Sequence, residues 1–165
     1  MTDHFVIKDG KLIEYCGPEE IEELVIPEGV IQLDNYSIRR VKYCVKSVIM
    51  SESLTQIRDA AFREFTNLEK VVLSPNLTVI PEACFCECKK LSEITNTEGL
   101  TEIGSRAFEA TKLQKISLPN IEKMGVSVFK YCFDLETVEL SCKLKMIHYC
   151  CFGYCKSLKD LKLRE

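Results

Sequence analysis

"LEKVVLSPNLTVIPEACFCECKK", residues 68–90, carries apolar residues at a spacing that neither a helix nor a plain strand explains. Leu68, Val71 and Leu73 hold its first, fourth and sixth places, and a turn with Pro75 follows. Leu77 and Ile80 come next, then the small residue Cys84 beside the aromatic Phe85. The period-two portion KVVLS reads as a short β-strand, and the remainder as a turn and an irregular or short helical return.

The same order recurs in VKSVIMSESLTQIRDAAFREFTN from Val45, LSEITNTEGLTEIGSRAFEATK from Leu91, LQKISLPNIEKMGVSVFKYCFD from Leu113 and LETVELSCKLKMIHYCCFGYCKS from Leu135. A more diverged copy starts at Ile21, and a truncated one, LKDLKLRE, at Leu158. The starts at 21, 45, 68, 91, 113, 135 and 158 are separated by steps of 24, 23, 23, 22, 22 and 23. Such a period predicts stacked coils. One coil cannot enclose a core, but strands of successive coils about 4.8 Å apart bury each apolar set against the next. Roughly half a dozen apolar side chains at about 1.5–3 kcal/mol each give on the order of 10 kcal/mol gross per coil. Backbone ordering cancels most of that, so a coil is stable only beside its neighbours and the ends must differ.

FVIKDGKLIEY, residues 5–15, alternates apolar and polar residues around Asp9-Gly10, a strong hairpin signal. The expected organisation is a capping hairpin over residues 1–20, with Phe5, Ile7, Leu12 and Ile13 as its apolar lid, and one continuous repeat domain over 21–165.

The pattern L-x-x-I/V-x-L-P-x-x-L/V-x-x-I-x-x-x-A-F-x-x-C resembles the BspA-like leucine-rich repeat, and F-x-I-x-D-G-x-L-x-x-Y-x-G, here Phe5 to Gly17, is similar to the opening that precedes such arrays. The match covers residues 5–165. It departs at Ser37-Ile38, where Ala-Phe is usual, and at Asn96-Thr97, where Leu-Pro is usual. The resemblance implies a leucine-rich-repeat solenoid, a right-handed βα-type superhelix with short parallel strands on the concave face and irregular or short helical returns on the convex face. It also implies bacterial or protist surface proteins of adhesion or host-contact type.

The totals narrow the chemistry. A formal charge of -3 and a pI near 5.6 argue against a nucleic-acid partner, which calls for a basic excess over the phosphates. No apolar stretch approaches membrane-span length. As written, no signal segment precedes the hairpin, which places the chain inside the cell, or at the surface or outside it if a signal has been removed. Ten cysteines in that setting are expected as reduced thiols.

By register, Cys84 and Cys151 share a small-residue slot with Ala61, Ala107 and Val128, while Cys88, Cys132 and Cys155 share another with Phe65 and Thr111. Those slots accept compact apolar side chains, so these five cysteines read as structural thiols. Cys132 and Cys155 fall in matching slots of adjacent coils, which leaves a disulfide open. Cys84, Cys86 and Cys88 lack C-x-x-C spacing, and His148 with Cys142, Cys150 and Cys155 is a marginally better zinc group; no metal or cofactor is expected. Cys150, two residues from His148, is the nearest approach to a nucleophile and base, and no phosphate loop, dinucleotide fingerprint or H-E-x-x-H accompanies it. The chain therefore reads as non-catalytic.

A curved array presents its strand ladder as an extended contact surface. The fifth place of successive coils is Val25, Ile49, Val72, Thr95, Ser117, Glu139 and Lys162, and the third is Glu23, Ser47, Lys70, Glu93, Lys115, Thr137 and Asp160. The expected partner-binding set is Val25, Ile49, Val72, Thr95 and Ser117, flanked by Lys70, Glu93 and Lys115, whose alternating signs on neighbouring strands suit cross-strand pairing. Residues 1–30 hold eight acids against Lys8 and Lys11, whereas residues 143–165 hold six bases against Asp160 and Glu165. The reading is a protein–protein interaction module acting through the concave sheet. The alternative is an intracellular scaffold or self-assembly domain acting through its ends, with weak homo-oligomers through the C-terminal end.

Overall fold

The structure is a computed structural model that describes residues 4–164. The chain winds into a β-solenoid of about seven turns, and its successive coils meet along three lines: two strand ladders and a turn-built return.

The first ladder uses the period-two segments. β3 (Glu23–Val25), β5 (Ser47–Ile49), β7 (Lys70–Val72) and β9 (Glu93–Thr95) form a four-stranded parallel sheet; β11 (Lys115–Leu118), β13 (Thr137–Ser141) and β14 (Asp160–Arg164) form a three-stranded one. Corresponding places stand in register, Val25 beside Ile49, Ile49 beside Val72 and Val72 beside Thr95. Alternation turns Leu24, Val48 and Val71 into the core and leaves the third and fifth places outside.

The second ladder lies beyond the turn and consists of two-residue strands. β4 (Gln32–Leu33) pairs with β6 (Gln56–Ile57), and β10 (Glu102–Ile103) pairs with both β8 (Val79–Ile80) and β12 (Lys123–Met124). The ladder lapses between β6 and β8, where neither Thr78 nor Val79 donates to Thr55 O and Pro81 stands three and two residues further on. Arg58, Gly104 and Gly125 hold the same place and donate their N–H groups to Leu33, Ile80 and Ile103 of the preceding coils. Proline has no N–H to give.

The returns are neither strand nor helix. A three-residue 3-10 turn, Arg39–Val41, is the one helical piece among the described residues. In the later coils, residues with left-handed φ recur in pairs four apart: Ala60 and Glu64, Ala83 and Glu87, Arg106 and Ala110, Ser127 and Tyr131, Cys150 and Tyr154. Alternate N–H groups then point two ways. Ala61, Arg63 and Phe65 donate within the coil to Arg58, Ala60 and Phe62, while Ala60, Phe62 and Glu64 donate to Glu82, Cys84 and Cys86 of the next coil. This alternation gives the returns the irregular one of the two expected forms, with a helical turn only at Arg39–Val41.

Inside the return runs a stack of phenylalanines. Phe62, Phe85, Phe108, Phe129 and Phe152 follow one another at centroid spacings of 5.3, 5.5, 5.5 and 5.6 Å with ring planes within 13°. The first four are fully buried and Phe152 is half-buried. Leu54, Leu77, Leu100 and Ile121 close the core from the turn side.

At the N-terminal end β1 (Phe5–Lys8) and β2 (Lys11–Tyr15) form an antiparallel hairpin through Asp9 and Gly10, both with positive φ, and β2 pairs parallel with β4. A bulge between Val6 and Ile7 sets Phe5 opposite Tyr15 and Ile7 opposite Leu12. Leu12 and Tyr15 are thereby the buried residues of β2, and Ile13 is 47% exposed. The expected place of Ile13 in the lid is thus corrected: it neighbours Leu12 on a strand, so only one of the two can face inward. Tyr15 takes the inward place, with Phe5 edge-on at 5.2 Å and its hydroxyl donating to Pro18 O at 3.2 Å.

Candidate functional site

The outward face of the first ladder carries the expected contact residues. On β3, β5, β7 and β9 the fifth-place column begins with Val25, 49% exposed, and continues through half-buried Ile49, Val72 and Thr95. In-register pairing makes the three β-branched apolar residues one continuous stripe. Such residues favour a pleated strand, so the stripe steadies the sheet while leaving apolar surface in water.

Beside it runs the polar third-place column. Ser47 Oγ donates to Glu23 at 3.3 Å and Lys70 Nζ meets Glu93 at 2.8 Å, an exposed pair worth a few tenths of a kcal/mol, roughly. The alternation expected to continue to Lys115 does not: β9 and β11 are not paired, and Lys115 has no ion-pair partner among the described residues. Further along, Glu139 accepts from Arg164 at 2.6 Å and from Ser117 at 3.3 Å. The Arg164 hydrogen bond is the main cause that holds the Glu139 carboxyl below its usual range.

Where the sheet is interrupted, a hollow of about 460 Å³ opens on this face, lined by Thr95, Asn96, Thr97, Lys115, Ser117 and Glu139, among others. Thr97 Oγ1 donates across it to Ser117 O at 2.7 Å, and Asn96, with φ of 62°, donates its amide to Leu73 O at 2.9 Å. The departure of Asn96-Thr97 from the repeat pattern marks this place in the sequence, although the hollow itself lies outside the sequence-based expectations.

The thiols lie on the return side. Cys84, Cys88, Cys132 and Cys151 are buried and Cys155 is half-buried. Cys88, Cys132 and Cys155 each donate S–H to the carbonyl of a phenylalanine one coil back: Phe62 at 3.1 Å, Phe108 at 3.0 Å and Phe129 at 3.1 Å. Thr111, in the same slot, donates to Phe108 O at 3.0 Å and contacts Cys132 Sγ at 3.2 Å. Burial raises the Cys84, Cys88 and Cys132 thiols, and pushes Cys151 up to about 11 and Cys155 to about 12. A thiol raised this far stays protonated at neutral pH and is a poor nucleophile. All ten cysteines are free, and among the described residues no three His, Cys, Asp or Glu side chains converge as a metal site. On the return surface Tyr131 and Tyr154 stack at 4.9 Å, with Lys130 over the Tyr131 ring.

The family model for the BspA type leucine rich repeat region matches residues 14–136 and 122–165, with six copies. The chain belongs to the BspA-type leucine-rich repeat family. Leucine-rich repeat proteins are generally protein-binding modules rather than enzymes. The solenoid is similar to the T. pallidum leucine-rich repeat protein, at TM-score 0.74 and 23% identity over 92% of this chain and 72% of that one. A leucine-rich cell surface protein from Faecalibacterium prausnitzii A2-165 matches at TM-score 0.64 and 24% identity, over 93% of this chain and 35% of its own. A Bacteroides ovatus leucine-rich repeat protein matches at 0.67 and 18%, over 96% and 50%. These likenesses are of fold. No curated protein matches in sequence. No helix among the described residues is long and apolar enough to cross a membrane.

Proposed function

We propose that this BspA-type array is a non-catalytic binding module of adhesion or host-contact type, whose protein partner docks on the concave strand face. The observation that carries this reading is the unbroken stripe of Val25, Ile49 and Val72 on one four-stranded sheet, partly open to water and edged by the Lys70–Glu93 pair. An apolar strip rimmed by charge is the usual make-up of a protein contact. The Faecalibacterium relative is described as a cell surface protein, which supports the adhesion reading.

The test places a photo-crosslinking residue at Ile49 and, separately, at Tyr154 on the return surface, and exposes both chains to host-cell surface extract. Position 49 is expected to give a discrete crosslinked species that Val72→Asp abolishes with the far-ultraviolet spectrum unchanged, and position 154 is not. The same species from Tyr154, or its survival in Val72→Asp, overturns the reading.

The exposure of Leu161 (44%) and Leu163 (64%) on β14 favours a second reading, weak self-association through that strand. Sedimentation of this chain across concentration and salt distinguishes it: a strict monomer at high concentration removes it.

A further inference from the structure

Every coil from Val45 onward but one opens its strand on the first ladder with the same pair of bonds. Glu69 and Lys70 both donate to Lys46 O at 2.7 and 3.1 Å, Ser92 and Glu93 both to Glu69 O at 3.0 and 3.1 Å, and Glu136 and Thr137 both to Gln114 O at 2.8 and 3.2 Å. Ser92 O holds the corresponding place for the coil that starts at Leu113, and neither Gln114 nor Lys115 donates to it. Three bonds cross instead, Lys112 N to Leu91 O at 2.9 Å, Thr97 Oγ1 to Ser117 O at 2.7 Å and, in the turn beyond the strands, Asn120 Nδ2 to Glu98 O at 2.9 Å.

The cause is a missing residue. Five residues, Cys86 to Lys90, separate Phe85 from Leu91, whereas four, Glu109 to Lys112, separate Phe108 from Leu113. The chain therefore enters β11 one residue short, and the backbone falls out of register with β9. The other two lines of contact are intact at this joint. Phe85, Phe108 and Phe129 stack at 5.5 Å on both sides of Phe108, Arg106, Phe108 and Ala110 donate to Val126, Val128 and Lys130 at 2.8–3.0 Å, and β10 pairs with β12.

We propose that the joint between β9 and β11 is a hinge built into the binding face. The half-sheets β3–β9 and β11–β14 turn against each other about the Phe85–Phe108–Phe129 spine, opening and closing the hollow between Thr95 and Ser117. The apolar stripe rides on one leaf; Lys115, Ser117 and Glu139 ride on the other. A hinge is the form a low-energy motion takes where one line of contacts is absent and its neighbours persist. It goes beyond the docking reading and stands whether or not a partner binds this face.

Amide hydrogen exchange on the unmodified chain tests it, with internal controls at equivalent places. Gln114 and Lys115 are expected to exchange at least about tenfold faster than Ser92, Glu93, Glu136 and Thr137, while Phe108 and Ala110 stay protected. Equal protection at Lys115 and Glu93 overturns the hinge. Thr97→Val, which removes one of the three bridging bonds, is expected to speed exchange further at residues 114–117 and leave β5 and β7 unchanged; a uniform rise through the chain overturns it. One lysine inserted between Thr111 and Lys112 restores the usual length and is expected to bring Lys115 within about threefold of Glu93. Persistent fast exchange in that folded variant also overturns the proposal. The unmodified-chain comparison decides by itself if either variant fails to fold.

Discussion

At the scale of single residues, the cysteines illustrate how one slot can be filled by different chemistries. Cys88, Cys132 and Cys155 give their weak S–H donors to a carbonyl one coil back, and Thr111 gives a hydroxyl to the carbonyl of its own coil. Phe65 fills the same slot with no proton to share, so what the slot asks for is buried volume, and a donor there finds a carbonyl. Because burial raises these thiols, the folded state prefers them protonated, whereas in the unfolded chain they ionise near pH 8.5. Their contribution to stability is therefore fully present below about pH 8.5 and is lost as pH climbs toward the Cys151 value of about 11. Each ionising thiol steepens the loss by up to about 1.4 kcal/mol per pH unit. Urea unfolding in reductant is expected to show a lower midpoint at pH 9.5 than at pH 7.5, and exchanging Cys84 and Cys151 for alanine should flatten that dependence. In the native chain a thiol reagent at pH 7.5 is expected to react first with exposed Cys16 and Cys142, and to reach Cys84 and Cys88 only on unfolding.

At the scale of elements, the backbone N–H decides what forms. Pro81 lacks one where Arg58, Gly104 and Gly125 donate, so Pro81→Ala is expected to add a bond to Ile57 O. Exchange of the amide introduced at position 81 would be slow if that bond forms and fast if it does not. The net change in stability should stay within about 1 kcal/mol, since a gained hydrogen bond is offset by a looser unfolded chain. The hairpin depends on Tyr15, the ring at its inner corner; Tyr15→Ala is expected to cost about 3–5 kcal/mol, read from the thermal or urea midpoint. Much of this level was legible. KVVLS and its counterparts announced the first ladder and Asp9-Gly10 announced the turn; the recurring aromatic place marked the phenylalanines, but their stacking was not read from it. The second ladder was not, because two-residue strands leave no alternation to read. Ile13 was misplaced because a bulge, invisible in the alternation, lets Leu12 and Tyr15 share one face. The hollow was hidden because it arises from a residue that is absent, although the step of 22 from Leu91 to Leu113 records the deficit.

At the scale of the whole molecule, cohesion passes from coil to coil, and the phenylalanine spine is its most continuous thread. Phe108 sits midway along it, fully buried between two stacked rings, at the joint where the first ladder is unpaired. Phe108→Ala is expected to cost about 3–5 kcal/mol and to split one unfolding transition into two, whereas Phe152→Ala, half-buried, should cost less and keep one. A calorimetric scan of both variants checks this. The return's alternating hydrogen bonds carry a last implication for how such arrays change over generations. Since every other N–H is answered by the following coil, copying or excising a complete turn leaves all donors answered, while gaining or losing a single amino acid strands a few of them. Repeat number can therefore drift in whole steps at little expense, and each fractional step leaves behind a soft spot.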